Sequence, residues 1–406
     1  MNRTTLISLI TVTVLALGGA LYFLFFTGKS SVTVTPPEGT TLPIAGQTPN
    51  PTGTETGSES TPDGTGTVPN TPVAVTTRLV QITTGPVVPG EIVFDIKPVN
   101  ASSTPTVAVH YIERRSGNVF SYSPATRTLT RINNKTVPGI QSASWLPDAS
   151  AAFIRYLSGT DFSTVNTYSL AATSSSGFFL PQNLSDISVA STTILTLSSG
   201  VNGSIASVSR TDGTKPTTVF TTPLTALRAS FAGKNQYLVF SKPSSTLPGA
   251  AFLVNALGRF TRIAGPRNGL VALASPSGKW VLVSYTQGSA MQMELVNTLT
   301  NVSLPLPVAT IADKCVWTAD DSSLYCGVPV NPSSSSAYPD DWYQGAVQFS
   351  DRIWKIDVAA RYAQMVLDFK DANKGTLDAY SLSINPSRTT LVFVNKNDSS
   401  LWSYSL

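Results

Sequence analysis

The chain has 406 residues and a formal net charge of +4, from 27 lysines and arginines and 23 aspartates and glutamates. Charged residues make up 12% of the sequence, against about 25% in typical soluble proteins. The basic residues form no stripe interleaved with aromatics, which excludes nucleic acid as the expected partner. The length does not require two folded domains, because a single all-β domain can exceed about 200 residues.

An uncharged run of 21 residues extends from Leu6 to Phe26, long enough to cross a hydrocarbon core of about 30 Å. The pattern predicts a single-pass transmembrane helix that acts as a signal-anchor. Arg3 precedes the run and only Lys29 follows it before Arg78, so the positive-inside rule favours a cytoplasmic N-terminus in the plasma (inner) membrane. A cleavable signal peptide is the alternative, but the run exceeds the usual apolar region of about 7 to 15 residues.

The next segment is dominated by Thr, Pro, Gly and Ser, with four acidic residues and no basic ones. Such a composition cannot bury a core, and it predicts a disordered, partly extended tether. Tolerated low-complexity sequence without a selected length is the alternative. The predicted domains are therefore the anchor at 1–29, the linker at 30–76 and an extracytoplasmic folded domain at 77–406.

The folded domain repeats a pattern of an apolar run, a small turn and a second apolar run. The repeats have their centres at Trp145, Val189, Phe231, Ala274, Trp317 and Ile384. Successive centres are 44, 42, 43, 43 and 67 residues apart, and four of these intervals match the period of about 40 to 45 residues of a four-stranded propeller blade. A further blade precedes Trp145. The sequence thus predicts an all-β, seven-bladed β-propeller, with six or eight blades as alternatives.

The last predicted blade has only three strands before the chain stops. The run RLVQIT near residue 80 belongs to no other blade. We therefore expect Leu79–Ile82 to pair with Leu401–Ser405, because this closure removes both terminal sheet edges.

One turn in the repeats carries a family resemblance. The segment Trp145-Leu146-Pro147-Asp148-Ala149 resembles the W-S-P-D-G turn of TolB-type, WD-like propeller repeats, and Pro276-Ser277-Gly278 and Pro386-Ser387 are similar to it. No WD dipeptide occurs. The resemblance covers about residues 77–406 and implies a module that binds proteins and is not an enzyme.

The two cysteines, Cys315 and Cys326, flank the turn at Asp320 and Asp321 symmetrically. In a hairpin centred on that turn they face each other at a separation that suits a disulfide. Two buried free thiols are the alternative, which fits an extracytoplasmic location less well. Zinc needs more ligands, and the single histidine, His110, lies far away in the sequence, so neither a metal nor another cofactor is expected.

The 67-residue interval contains an insertion between the second and third strands of the sixth blade. Its centre contains the candidate binding residues Tyr338, Asp340, Asp341, Trp342 and Tyr343. In a propeller this connection lies on the face that usually binds ligands. Two interpretations stay open at this point: the aromatic residues anchor a partner, or they form a plug that covers the central channel.

Other loops predicted on this face carry basic side chains. They are Arg114, Arg115, Lys135, Lys242 and Arg267. Their convergence would favour an anionic partner, such as a surface polymer or an acidic protein patch. Scattered solvated charges are the alternative.

Residues with catalytic potential are few. His110 lies in a strand pattern, where a packed histidine is expected, and the G-x-S-x-G motif of serine hydrolases is absent. Asp340, Asp341 and Asp351 leave a carbohydrate-active enzyme, a glycosidase or a lyase, as an alternative. A structural envelope component is the other alternative. The leading hypothesis is a membrane-anchored scaffolding propeller that binds an envelope protein or an anionic surface polymer.

Overall fold

The computed structural model describes residues 78–97, 105–372 and 374–406. These residues form seven four-stranded antiparallel sheets, so this part of the chain is a seven-bladed β-propeller, as the sequence predicts. The predicted span at residues 6–26 and the linker at 30–76 lie outside the described residues. Within the described ranges, no helix is long and apolar enough to cross a membrane.

The strands of each blade are numbered from the central channel outward. Blade one contains β2 (Ile92–Ile96), β3 (Thr106–Ile112), β4 (Val119–Ser123) and β5 (Thr128–Asn133). Blade two contains β6 (Ile140–Trp145), β7 (Ala151–Ser158), β8 (Thr164–Ala171) and β9 (Gly177–Phe179). Blade three contains β10 (Leu184–Val189), β11 (Thr193–Gly200), β12 (Gly203–Arg210) and β13 (Thr217–Thr222). Blade four contains β14 (Leu227–Phe231), β15 (Gln236–Ser241), β16 (Gly249–Asn255) and β17 (Phe260–Arg267).

The remaining blades complete the ring. Blade five contains β18 (Val271–Ala274), β19 (Trp280–Gln287), β20 (Ala290–Asn297) and β21 (Ser303–Pro305). Blade six contains β22 (Cys315–Trp317), β23 (Ser323–Pro329), β24 (Asp351–Asp357) and β25 (Tyr362–Asp368). Blade seven contains β26 (Ala379–Ile384), β27 (Thr390–Asn395), β28 (Leu401–Ser405) and β1 (Leu79–Gln81). Two short helical segments belong to blade six, the 3-10 helix η1 (Ala312–Lys314) and the helix α1 (Asp340–Gln344).

The second strand of each blade explains why the repeat is visible in the sequence. All six residues of β27 are buried, because this strand is covered by β-sheet on both sides. A strand buried on both faces has a nearly continuous apolar, β-branched sequence. The outer strand β5, in contrast, is mostly exposed. The outer strands therefore lack the repeating pattern.

The ring closes through β1, which pairs antiparallel with β28. Leu79 lies opposite Tyr404, and Gln81 lies opposite Trp402. Ile82 N–H continues the pairing by donating to the carbonyl of Leu401 at 2.8 Å. The predicted closure is confirmed, and blade seven combines strands from both ends of the described chain.

Aspartate side chains join neighbouring blades near the turns between first and second strands. The Asp321 carboxylate of blade six accepts hydrogen bonds from Ser275 Oγ at 2.8 Å and Ser277 N–H at 3.1 Å in blade five. Across the closure, Asp95 of blade one accepts hydrogen bonds from Asn385 and Ser387 of blade seven. These charge-assisted bonds fix the blades to one another.

Cys315 and Cys326 lie directly opposite each other on β22 and β23. They form a disulfide, with their Cα atoms 4.1 Å apart. The predicted pairing is confirmed, and the alternative of free thiols is excluded for this structure.

The two faces of the propeller differ in what they carry. The connections between second and third strands and between successive blades lie on one face, which we call the insertion face because it includes α1. In each blade the third strand runs away from this face and the fourth strand runs toward it. In blade seven the third strand is β28 and the fourth is β1. The start of β1 and the end of β28 therefore both lie on the opposite face.

Candidate functional site

The central channel opens on the insertion face into a cavity of about 570 Å³, within the range of typical ligand pockets. Five blades contribute to its wall, through residues in or just before their innermost strands, through α1 and through the loop after β27. The side chains that define its chemistry belong to Ser142, Arg228, Asp313, Trp342, Tyr343, Tyr380, Ser381 and Lys396. The cavity therefore combines aromatic rings with both signs of charge.

The inserted segment is fixed to the propeller by Trp342, which is 2% exposed. Its Nε1 donates a hydrogen bond to Asp378 Oδ2 at 2.9 Å, and its ring stacks on that of Phe349. Tyr338 is buried to the same extent. The structure thus places these two aromatic residues in the interior, where they pack against the propeller itself.

Tyr343, next to Trp342, has a different environment. It is 38% exposed, it lines the cavity, and its hydroxyl donates to Asp313 Oδ2 at 2.7 Å. Of the three aromatic residues predicted for this loop, Tyr343 is the one whose ring is available at the surface.

The two acids of the inserted segment hold it in place. Asp340 accepts hydrogen bonds from Ser245 N–H at 2.9 Å and Ser245 Oγ at 2.7 Å, which ties the insertion of blade six to a loop of blade four. Asp341 accepts a bond from Ala337 N–H at 2.8 Å. Both carboxylates therefore have partners within the protein.

A buried ionic cluster lies beneath the insertion. The side chains of Lys314, Asp351 and Asp378 are fully buried, and Lys314 Nζ bonds to both carboxylates. The Lys314 ammonium group also lies 5.0 Å from the ring centres of Trp342 and Phe349. Burial raises the pKa of Asp351 to about 6, against the opposing effect of Lys314. One lysine thus compensates two buried acids and supports the aromatic floor of the cavity.

A row of alternating charges runs along the cavity wall. Arg228 Nη1 contacts Asp313 Oδ2 at 2.6 Å, and Asp186 lies behind Arg228 within electrostatic reach. The neighbouring Asp313 raises the pKa of Arg228, whereas burial raises the pKa of Asp186. Asp313 is therefore already neutralised by Arg228 where it lines the cavity.

Lys396, in contrast, lines the cavity without an acidic partner. None of the ion pairs among the described residues includes it. Its Nζ lies 5.1 Å from the centre of the Trp342 ring, and burial lowers its pKa. Asp378 partly opposes this shift, but within the described residues the cavity presents a cation that forms no ion pair.

Gly90 marks the tightest point of the wall. A Cβ atom at this position would lie 1.8 Å from the carbonyl oxygen of Ala143, and its φ is +101°. Both facts require glycine. The close approach brings the loop before β2 against β6 and defines the side of the cavity between blades one and two.

The basic residues predicted for this face do not converge at the cavity. The charge of Arg114 acts on Tyr380, which lines the cavity. Arg115 and Lys242 are exposed and do not line the cavity. Lys135 bonds to the Tyr168 hydroxyl. Arg267 pairs with Glu294 at 2.6 Å and covers the ring of Tyr285. The positive charge at the cavity comes from Arg228 and Lys396 instead.

His110 packs against Phe94 and Trp145, with ring centres 4.7 and 5.7 Å away. Burial lowers its pKa. It does not line the cavity. Within the part of the chain that the structure describes, no group of three His, Cys, Asp or Glu side chains is arranged to hold a metal ion.

Several residues of the site were not expected from the sequence. They are Glu91, Arg228, Asp313, Lys314, Asp378 and Lys396. Most lie at or just before the start of an innermost strand, or in the loop after a second strand. Aligning the repeats by the first residue of each innermost strand would have identified Arg228 and Tyr380 as channel-facing positions.

No protein-family model matches the sequence, and no curated protein is similar to it in sequence. Solved structures share the fold. An oligogalacturonate lyase from Vibrio parahaemolyticus superimposes with a TM-score of 0.54 at 9% identity, over 82% of this chain and 94% of that one. An oligogalacturonate lyase in complex with manganese gives a TM-score of 0.51 at 9% identity, over 79% of this chain and 98% of that one.

These comparisons correct one expectation from the sequence. The resemblance to TolB-type repeats implied a binding module that is not an enzyme. The part of that inference that excludes an enzyme is wrong, because propellers that superimpose on 82% and 79% of this chain are lyases. At 9% identity the similarity shows the fold, and function has to be argued from the cavity.

Proposed function

We propose that the propeller binds an acidic oligosaccharide in the cavity at the mouth of its channel. The observation that carries this proposal is Lys396, a cation in the cavity wall that forms no ion pair with an acidic side chain among the described residues. A site with an uncompensated cation attracts an anionic ligand. Arg228 adds a second cationic group, although it shares its charge with Asp313.

The other wall residues suit a sugar. Tyr343 and Tyr380 supply aromatic surface, and Ser142 and Ser381 supply hydroxyl groups. Ligand sites usually combine a mainly apolar, aromatic lining with a few polar groups that fix orientation. A carboxylate-bearing sugar has an apolar ring face, hydroxyl groups and a negative charge, and each has a counterpart in this wall.

The fold comparison supports the same ligand class. Both lyases are named for oligogalacturonate, an acidic oligosaccharide. The support is an analogy of fold. A protein partner at the same face is the competing proposal, and it would use the exposed ring of Tyr343.

A second candidate function is cleavage of the bound oligosaccharide by elimination. The specific observation is the position of Lys396 in the cavity wall, where burial lowers the pKa of its ammonium group; a lysine that has first lost its proton to solvent can act as a general base. The amine would take the proton from the carbon that bears the carboxylate. The released electron pair forms a carbon–carbon double bond, the neighbouring glycosidic carbon–oxygen bond breaks, and the leaving oxygen takes a proton from water.

The anchor is part of the proposal. The run at 6–26 would hold the protein in the membrane with the propeller outside. The Cys315–Cys326 disulfide supports an oxidising compartment. The start of β1 lies on the face opposite the cavity, so a tether that enters there leaves the insertion face accessible. Protease added to cells whose plasma membrane is intact but whose outer layers have been removed should cleave the propeller, and protection until the plasma membrane is permeabilised would contradict this arrangement.

Calorimetric titration with trigalacturonate tests the binding proposal, with neutral maltotriose as the control ligand. The wild-type chain should bind trigalacturonate and not maltotriose. Lys396→Met should weaken binding about tenfold or more, because a charge-assisted contact is lost. The matched control is Lys234→Met, since Lys234 is exposed in the turn between β14 and β15 on the opposite face.

Two results would contradict the proposal: no binding of trigalacturonate by the wild-type chain, or equal losses in both lysine variants. Ultraviolet absorbance of the unsaturated product in the same samples reports elimination. Binding without absorbance change leaves ligand binding as the function and rejects the second candidate.

A further inference from the structure

Ser381 has an unusual backbone conformation in the cavity wall. It lies in a β-bulge of β26, where the pairing with β27 shifts between Tyr380 and Ser383. Its φ is +50°, and it is the one residue other than glycine that has positive φ inside a strand of the described ranges. Bulges redirect side chains, and positive φ costs free energy for such residues. The bulge places Ser381 at the cavity.

Glu91 lies directly behind Ser381. Its side chain is buried, at 6% exposure, and its Oε2 lies 3.2 Å from Ser381 Oγ. The other oxygen, Oε1, has no hydrogen-bond partner among the described residues. Ser381 Oγ also accepts a hydrogen bond from Gly90 N–H at 2.8 Å.

Glu91 has no counter-ion. None of the ion pairs in the described part of the chain includes it. An ionised carboxylate that is buried without a cation is strongly disfavoured. Burial accordingly raises the pKa of Glu91 to about 8, although backbone and Ser381 hydrogen bonds oppose the shift. The geometry and the pKa both indicate a neutral acid at pH 7.

The ionisable groups around Glu91 are few. Tyr380, next to Ser381 on β26, interacts with Glu91 electrostatically. Two further charged groups act on Tyr380: Arg114, in the turn after β3, and Asp378, the residue before β26. Lys396 lines the same cavity. None of these groups is hydrogen-bonded to Glu91.

We propose that Glu91 carries a proton in the resting protein and donates it in a hydrogen bond to Ser381 Oγ, so that the Ser381 hydroxyl donates into the cavity. A hydroxyl has one hydrogen and two acceptor positions. Gly90 N–H occupies one acceptor position, and the Glu91 proton occupies the second. The Ser381 hydrogen then has only the cavity side available, where it meets an acceptor oxygen of a ligand.

Ionisation of Glu91 reverses this arrangement. A carboxylate can only accept hydrogen bonds, so Ser381 turns its hydrogen toward Glu91 and the donor at the cavity is lost. Glu91 is therefore a positioning residue that acts through Ser381. Ligand binding weakens as the pH rises through about 8.

A purely structural role does not account for Glu91. Serines at two other places accept hydrogen bonds from the next blade, Ser383 from Val93 N–H at 3.2 Å and Ser188 from Phe231 N–H at 3.3 Å. Neither serine is hydrogen-bonded to a carboxylate among the described residues. The bond between blades explains the serine, but it does not explain an uncompensated carboxyl group beside it.

The first test needs no ligand. Infrared spectra of the full chain at pH 7 should contain the carbonyl band of a protonated carboxylic acid, which Glu91→Gln removes and which Glu113→Gln leaves unchanged. The Tm of the wild type should also fall relative to Glu91→Gln by a few degrees between pH 7 and pH 9. The proposal is overturned if neither the band nor the difference in Tm depends on Glu91.

The second test uses trigalacturonate, and this arm rests on the proposed function. Wild-type affinity should fall about tenfold more than that of Glu91→Gln between pH 7 and pH 9, because the protonated fraction of a group with a pKa near 8 falls about tenfold. Lys396 is present in both proteins, so any pH dependence that it contributes is the same in both and the comparison isolates Glu91. The glutamine amide keeps a donor for Ser381 and should preserve binding at pH 9.

Ser381→Ala should weaken trigalacturonate binding about tenfold at pH 7. The affinity of this variant should then depend on pH in the same way as the affinity of Glu91→Gln. The control Ser188→Ala should leave affinity unchanged. Equal pH profiles of wild type and Glu91→Gln would overturn the role of Glu91. If trigalacturonate does not bind at all, the proposed ligand is wrong, and the ligand-free measurements still decide the protonation of Glu91.

Discussion

Trp342 in the inserted segment of blade six donates its indole hydrogen to Asp378, the residue immediately before the innermost strand of blade seven, at 2.9 Å. Its neighbour Tyr343 points to the cavity and bonds to Asp313. Two adjacent aromatic residues of one short helix therefore have different roles. One joins two blades, and the other presents a ring to whatever enters the channel.

The first prediction separates these roles. Trp342→Ala should lower the free energy of unfolding by about 3 to 5 kcal/mol, because a large buried side chain and its bond to a buried acid are lost. Tyr343→Phe keeps the ring and removes only the bond to Asp313, so it should cost about 1 kcal/mol or less. Chemical denaturation measures both.

Ligand affinity distinguishes the two variants further. Tyr343→Ala should weaken trigalacturonate binding with little change in Tm. A Tyr343→Ala variant that unfolds as readily as Trp342→Ala would mean that the whole helix is structural, and the partner-binding role predicted for this insertion would then lose its support.

The second prediction concerns the buried cluster. Lys314→Met should destabilise the protein by about 3 to 5 kcal/mol, because Asp351 and Asp378 are left buried without a cation. Loss of Lys314 raises the pKa of Asp351 further, so protonation of this acid relieves part of the cost, and the variant should recover stability relative to wild type as the pH falls from 8 toward about 6. Urea midpoints at pH 5 and pH 8 test this. A constant difference between the two proteins at both pH values would be inconsistent with uncompensated carboxylates.

The sequence predicts the blades but not the cavity, for a physical reason. Blade number, closure and the disulfide follow from apolar periodicity and from a turn flanked symmetrically by Cys315 and Cys326. These are local patterns that a strand buried on both faces imposes on its own residues. They can be recognised in one sequence without any knowledge of distant contacts.

The cavity depends on residues far apart in the chain. Glu91 and Ser381 meet across the ring closure, 290 positions apart, and Arg228 and Asp313 meet from blades four and six. No local pattern marks such pairs. Composition correctly indicated the insertion as unusual, but it could not show that Tyr338 and Trp342 turn inward while Tyr343 does not.

The third prediction is a pH dependence of stability. Glu91 has its pKa raised from 4.5 to about 8, and Asp351 from 3.8 to about 6. Between the unfolded and folded pKa values the native state holds more protons than the unfolded state, so stability falls as the pH rises. We expect the decline between about pH 4 and pH 8, with a slope of at most about 1.4 kcal/mol per pH unit for each group.

Unfolding by urea at pH 5, 6, 7 and 8 measures this dependence. Glu91→Gln should flatten the part of the curve above pH 6, where Asp351 no longer titrates. Stability that rises steadily across the interval would show that ordinary surface carboxylates dominate and that neither acid is shifted as described.

The last prediction concerns the closure of the ring. Removing residues 1–77 leaves β1 intact, so this variant should unfold cooperatively with a Tm close to that of the full chain. Removing residues 1–82 deletes β1, the bond from Ile82 N–H to Leu401 and the buried side chain of Leu79. Loss of the leucine alone is worth about 2 to 5 kcal/mol, and the freed edge of β28 becomes available for pairing with other molecules. The shorter variant should therefore melt at a lower temperature and aggregate, as measured by calorimetry and light scattering. Equal melting temperatures for the two truncations would mean that six complete blades and a three-stranded seventh are sufficient, and that β1 contributes nothing to holding the ring closed.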